Sequence, residues 1–148
     1  MKTARTWVPG ALLLLFAGMA QALEFRSVGA MPAVLVDAPS ERARKIGIAP
    51  RGMPVEVVIT YGEWIKVRDA SGELSWLPAK SLETKRNVIV TVATTRVHAA
   101  ANEGSPLVFS AERHVLLERI EAPSSGWVRV RHADGQSGYA KVTEVWGE

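Results

Sequence analysis

One phrase is written twice in this chain. Gly62-Glu63-Trp64-Ile65-Lys66-Val67-Arg68, a short glycine turn and Leu74-Ser75-Trp76 return as Gly126-Trp127-Val128-Arg129-Val130-Arg131, a short glycine turn and Ser137-Gly138-Tyr139. From the first Trp of each copy onward the two align without a gap, at an offset of 63 residues. A repeat of that period implies two small domains of one kind rather than one composite fold. The chain has no cysteine, so no disulfide staples either copy. Units of about 60 residues bury only a modest share of their surface and are marginal alone. The halves are therefore expected to lean on each other.

Glycine, proline and β-branched residues punctuate the sequence, and no stretch keeps a helical period with caps, which predicts an all-β chain. The first half supplies runs at Ala33 to Val36, Val55 to Tyr61, Trp64 to Arg68 and Leu74 to Leu77. The second supplies Val88 to Val92, Val115 to Ile120, Trp127 to His132 and Ser137 to Val142. Asp69-Ala70-Ser71-Gly72-Glu73 and Ala133-Asp134-Gly135-Gln136 suit tight turns that need a positive φ. Each copy thus carries a hairpin at the same place.

The first residues read as a separate device. Lys2 and Arg5 give a positive start, Val8 to Phe16 is nearly continuous apolar, and Ala20-Gln21-Ala22 is a small-x-small exit. That is the pattern of a secretory signal peptide over residues 1–22, with cleavage expected after Ala22. The apolar run is too short for a permanent membrane span, and the mature chain is expected to have none. A lipid-anchored form would need a cysteine just after the cut, and there is none. Localisation is expected to be periplasmic or secreted. Of the 18 basic residues Lys2 and Arg5 belong to this leader, leaving 16 against 15 acidic ones, so nucleic acid is not an expected partner. The division read from these patterns is a unit at 23–83, a connector at 84–87 and a unit at 88–148.

Alternation along the Trp-bearing run is informative. Ile65 and Val67 point to one face and Trp64, Lys66 and Arg68 to the other; Val128 and Val130 oppose Trp127, Arg129 and Arg131 in the same way. The apolar pair belongs to the core, which leaves the Trp among cations on the outer face, where a guanidinium or ammonium group can lie over the indole. The preceding run puts Val55, Val57, Ile59 and Tyr61 on one face and Val58 on the other. Its counterpart is apolar on both faces, with Val115 and Leu117 opposing Leu116 and Ile120. A strand apolar on both sides is covered on both sides, which predicts a fixed interface between the units.

The pattern Gly-(x)-Trp-x-Lys/Arg-Val-Arg, a Gly turn and Gly/Ser-Trp/Tyr, preceded by Val34-Leu35-Val36-Asp37-Ala38-Pro39-Ser40 and Arg51-Gly52-Met53-Pro54-Val55-Glu56-Val57, resembles bacterial SH3 (Src-homology-3-like) domains. The likeness covers nearly all of the mature chain, twice, with Arg96-Val97-His98-Ala99-Ala100 as a degraded second opening. It implies two tandem SH3-like small β-barrels packed against each other, with long loops at Asp37 to Ala49 and His98 to Leu107. It also implies a place in the cell envelope, where such domains recognise wall peptides. Relatives that read proline-rich ligands use tyrosines in the first long loop; neither loop here holds an aromatic residue.

Candidate catalytic groups are few. Without cysteine a thiol peptidase is excluded. His98, His114 and His132 lie on separate segments with no metal-ligand spacing, and no serine sits in a nucleophile elbow. No catalytic residue, cofactor or metal ligand is therefore assigned, and the expectation is a non-enzyme. The candidate ligand contacts are Trp64, Lys66, Arg68, Trp127, Arg129 and Arg131, with Arg42, Arg44 and Lys45 as a basic cluster in the first loop. A competing reading has the basic stems merely shielding the indoles, and a solvated loop at Arg42 to Lys45. Trp76 and Tyr139 are expected to close the barrels by packing, and Trp146 to pin the C-terminal segment. The expected function is an exported tandem module that binds cell-wall peptide. The alternative is an adaptor docking an envelope protein or a second copy; the sequence leaves the oligomeric state open.

Overall fold

The computed structural model describes residues 22–148. The expected leader lies outside these residues but for Ala22. Fourteen strands form two sheets. The first holds β1 (Glu24–Val28), β2 (Ala33–Val36), β3 (Lys45–Ala49), β4 (Pro54–Tyr61), β5 (Trp64–Arg68), β6 (Leu74–Pro78) and β7 (Leu82–Glu83). The second holds β8 (Asn87–Val90), β9 (Thr94–His98), β10 (Leu107–Glu112), β11 (Leu116–Arg119), β12 (Trp127–Arg131), β13 (Ser137–Lys141) and β14 (Val145–Trp146). The order β3-β2-β6-β5-β4-β1-β7 in one sheet is β10-β9-β13-β12-β11-β8-β14 in the other, the same path seven strands on. All pairs are antiparallel. A single 3₁₀ turn precedes the last strand of each sheet, at Ala79–Ser81 and Val142–Glu144.

Each sheet curls around its own core. Val28, Val55, Ile65, Val67 and Leu77 fill the first; Val88, Val97, Leu117, Val128 and Val130 fill the second. The inward pairs Ile65/Val67 and Val128/Val130 are those that the alternation placed there. The hairpin turns also form as read. In the first, Asp69 Oδ1 accepts from the N–H groups of Ser71 and Glu73, and Gly72 takes φ 89°. In the second, Asp134 Oδ1 accepts from the Gln136 N–H, and Gly135 takes φ 96°.

Two expectations about the strands need correction. The first long loop does not run from Asp37 to Ala49, because Lys45–Ala49 is β3, an edge strand paired with β2. The loop is the tip between, closed where the Arg44 N–H donates to Asp37 Oδ1 at 3.0 Å. Ile46 and Ile48 of β3 are exposed, so the strand gives no inward apolar signal. Nor does β4 keep one face along its length. A register shift against β5 between Val57 and Ile59 sets Val57 opposite Val67 but Ile59 opposite Lys66, so Ile59 and Tyr61 turn to solvent.

The two barrels meet in a built junction. Asn87, inside the expected connector, opens β8: its N–H donates to Ser27 Oγ at 3.1 Å and its side-chain Nδ2 to Gly52 O at 2.9 Å. Trp146 stacks edge-on against Phe25, centroids 5.0 Å apart, and so ties the C-terminal strand to the first barrel as well as to β8. The Arg86 guanidinium lies 5.5 Å from the same Phe25 ring and donates to Gly147 O at 3.1 Å. Gly147 is buried at φ 111°, where a Cβ would come within 2.9 Å of Pro54 Cβ. Leu116 faces Gly52 across the junction while Leu117 fills the core, which is how β11 comes to be covered on both faces. The fixed interface expected from that strand is present.

Candidate binding grooves beside Trp64 and Trp127

Each Trp begins the central strand of its barrel, just after a positive-φ glycine that swings the chain into the strand: Gly62 (φ 57°) lies two residues before Trp64 and Gly126 (φ 84°) directly before Trp127. Pro78 stands opposite Trp64 in register and Lys141 opposite Trp127. The 3₁₀ turn then folds back, with the Ala79 N–H donating to Glu63 O at 2.8 Å and the Val142 N–H to Gly126 O at 3.0 Å. The result is a groove of about 480 Å³ in the first barrel, bounded by Trp64, Pro78, Ala79 and Lys80 on one side and by loop residue Glu41 on the other. The second barrel has a shallower, more open counterpart of about 440 Å³ between Trp127, Lys141 and Val142 and the loop Ala101–Glu103. Both fall within the size range of small-ligand sites.

The grooves differ in charge. In the second, Lys141 Nζ is paired with Glu103 from strand end to loop. The hydrogen bond from Lys141, then its charge, holds the Glu103 carboxyl below its ordinary value, and the same hydrogen bond raises the Lys141 ammonium above its own. In the first groove Glu41, Glu63 and Lys80 belong to none of the ion pairs among the described residues.

The strand cations do not lie over Trp64 or Trp127. Arg68 donates to both oxygens of Glu56, at 3.1 and 2.9 Å; Arg129 pairs with Glu121 at 2.8 Å and Arg131 with Glu118 at 3.1 Å. Glu56 and Glu118 sit directly opposite Arg68 and Arg131 on the neighbouring strands, and a cross-strand carboxylate outbids an indole face for a guanidinium. Lys66 does cover an indole, but that of Trp76, at 5.9 Å. Trp76 and Tyr139 are half-buried on the outer face rather than in the barrel interior. In the first loop Arg44 is paired with Asp37 at 3.2 Å, while Arg42 and Lys45 are exposed. The structure thus brings Trp64 and Trp127 to equivalent grooves and leaves the nine-residue candidate set otherwise dispersed. The same grooves are lined by Glu41, Glu63, Pro78, Lys80, Glu103 and Lys141, which the sequence did not single out. The available signal was the 63-residue offset itself, which carries Pro78 onto Lys141.

The histidines occupy three settings. His98 is buried with Nδ1 3.0 Å from Ser105 O, His114 is exposed, and His132 Nδ1 lies 3.1 Å from Asp134. Among the described residues no group of three His, Cys, Asp or Glu side chains is placed to hold a metal ion, and no helix is long and apolar enough to cross a membrane.

Two matching barrels, each opening a groove at the same Trp, define a tandem binding module. The bacterial SH3 domain family model matches residues 30–84 and again 91–147, and the chain belongs to that family, with two copies. Solved structures with a partial likeness include NlpC2 and NlpC1 from Trichomonas vaginalis (12% and 14% identity, TM-scores 0.40 and 0.41) and an NlpC/P60 family protein from Bacillus cereus (17%, 0.37). They cover 86%, 95% and 83% of this chain, which spans about half of each of them, at 49%, 52% and 56%. A search of curated proteins finds no match.

Proposed function

We propose that this is an exported, non-enzymatic tandem module that recognises short peptide segments of the cell wall, or another envelope component, through the grooves beside Trp64 and Trp127. The observation that supports it is the recurrence of one groove, with one Trp and one 3₁₀ wall, in both repeats. A duplicated fold alone preserves a core; a duplicated concavity with an aromatic rim is what a ligand requires. Co-sedimentation with isolated peptidoglycan tests it. Wild-type protein is expected in the pellet, and Trp64→Ala is expected to remain largely in the supernatant. Equal pelleting of wild type and the Trp64→Ala, Trp127→Ala double variant would refute the groove reading.

A second reading, an adaptor for an envelope protein or for another copy, is favoured by the exposed apolar surface of the first barrel. Val34, Ile46, Ile48, Ile59 and Tyr61 are all exposed there, whereas Leu107 is the one large exposed apolar side chain noted among the described residues of the second. A strictly monomeric chain that captures no envelope protein would count against it.

A further inference from the structure

We propose that the two grooves are in different states: the first takes a short peptide bearing a free ammonium group on Glu41 and Glu63, whereas in the second the loop carboxylate is already engaged by the chain's own Lys141. The inference rests on the peptide-binding reading above and names the chemistry of that site.

In register Lys141 stands where the first barrel has Pro78, each opposite its Trp. Its ammonium group crosses the second groove to Glu103 on the loop, beside Trp127. A primary amine on a four-carbon stem, paired with a loop carboxylate in a groove that an indole also lines, is the arrangement an amine-bearing peptide side chain would make. The first groove has a loop wall and a Trp in the same places, but Pro78 has no ammonium to offer, and Glu41 and Glu63 belong to no ion pair among the described residues. Two carboxylates beside an apolar floor attract a cation, and Lys80 on the opposite wall is left to meet a peptide carboxylate. The strand position tolerates either residue, since Pro78 and Lys141 keep the same register.

Calorimetric titration of the full mature chain at low salt tests this. The probe is an N-terminally blocked wall-type tetrapeptide whose diamino acid carries a free side-chain amine, compared with the same peptide acetylated on that amine. One molecule per chain is expected to bind, with acetylation or Glu41→Gln/Glu63→Gln weakening it about three- to tenfold, as for a partly exposed charged pair. Raising the salt weakens the free-amine peptide more than the acetylated one, which keeps only the carboxylate contact to Lys80. Lys141→Ala, which frees the Glu103 carboxylate, is expected to open a second site and raise the stoichiometry to two, whereas Glu103→Gln, which removes that carboxylate, is expected to keep it at one. Equal binding of the acetylated peptide, two sites in the wild type, or one site in Lys141→Ala would overturn the proposal. If the chain still pellets with peptidoglycan in a Trp64-dependent way while acetylation has no effect, the amine preference fails and wall binding stands; if the wild type does not pellet at all, the function reading itself fails.

Discussion

His114 holds a left-handed backbone, φ 72°, while its N–H donates to Val90 O at 2.9 Å. At the matching place in the first barrel a glycine, Gly52, takes φ 80° and donates to Val28 O at 2.8 Å. The turn geometry belongs to glycine, and a side chain there carries strain. His114→Gly is expected to stabilise the chain by about 0.5–1 kcal/mol and raise the melting temperature by a few degrees, measured by thermal dichroism. Gly138 is the opposite case. A Cβ there would lie 2.5 Å from His98 O and 2.8 Å from Val97 Cγ1, because β13 crosses β9 closely. Gly138→Ala should cost on the order of 1–3 kcal/mol or more in denaturant unfolding. Both positions lay in plain view in the sequence, but neither was legible, since the first needs a φ and the second a crossing distance.

The Trp hairpins were the legible elements. Trp64–Arg68 and Trp127–Arg131 alternate strictly between core and outer face, and a period of two flanked by Gly turns has one solution. Edge strand β3 was not, since Ile46 and Ile48 face solvent and Gly47 interrupts them; nor were the loop carboxylates Glu41 and Glu103, which come from segments far from the Trp in sequence. Electrostatics between elements is set by partners of the same kind. Glu118 on β11 receives Arg131 from β12 and, at 3.6 Å, Lys85 from the connector. Burial pushes its carboxyl up, but hydrogen bonds and charge from Arg131 and Lys85 outweigh that and hold it below its ordinary value of 4.5. A depressed carboxyl stabilises the fold at pH above its unfolded value and loses that contribution as the pH falls through the folded one. The melting temperature of Glu118→Gln should therefore lie below that of the wild type at neutral pH, with the gap closing as the pH drops below about 4. Parallel curves down to low pH would show that the carboxylate contributes nothing there.

At the scale of the molecule, two marginal barrels are joined by Trp146, expected from the sequence to pin the C-terminal segment, and by residues that no local pattern distinguishes: Phe25, Ser27, Gly52, Arg86, Asn87 and Gly147. The two-faced apolar character of Val115 to Ile120 foretold that an interface exists, but not which side chains other than Trp146 build it. If the junction couples the barrels, the wild type unfolds in one calorimetric transition, and Phe25→Ala with Trp146→Ala, which removes the edge-on stack, separates it into two. Two transitions in the wild type would mean independent units. The joined pair presents two grooves, and whether the first of them takes ligand is most directly read by amide chemical-shift mapping during titration with soluble wall-peptide fragments. Saturable shifts at Glu63, Trp64, Ala79 and Lys80, including the Trp64 indole N–H, are the predicted result. Saturable shifts confined to other surfaces, such as the Ile46–Ile48 edge, would contradict it.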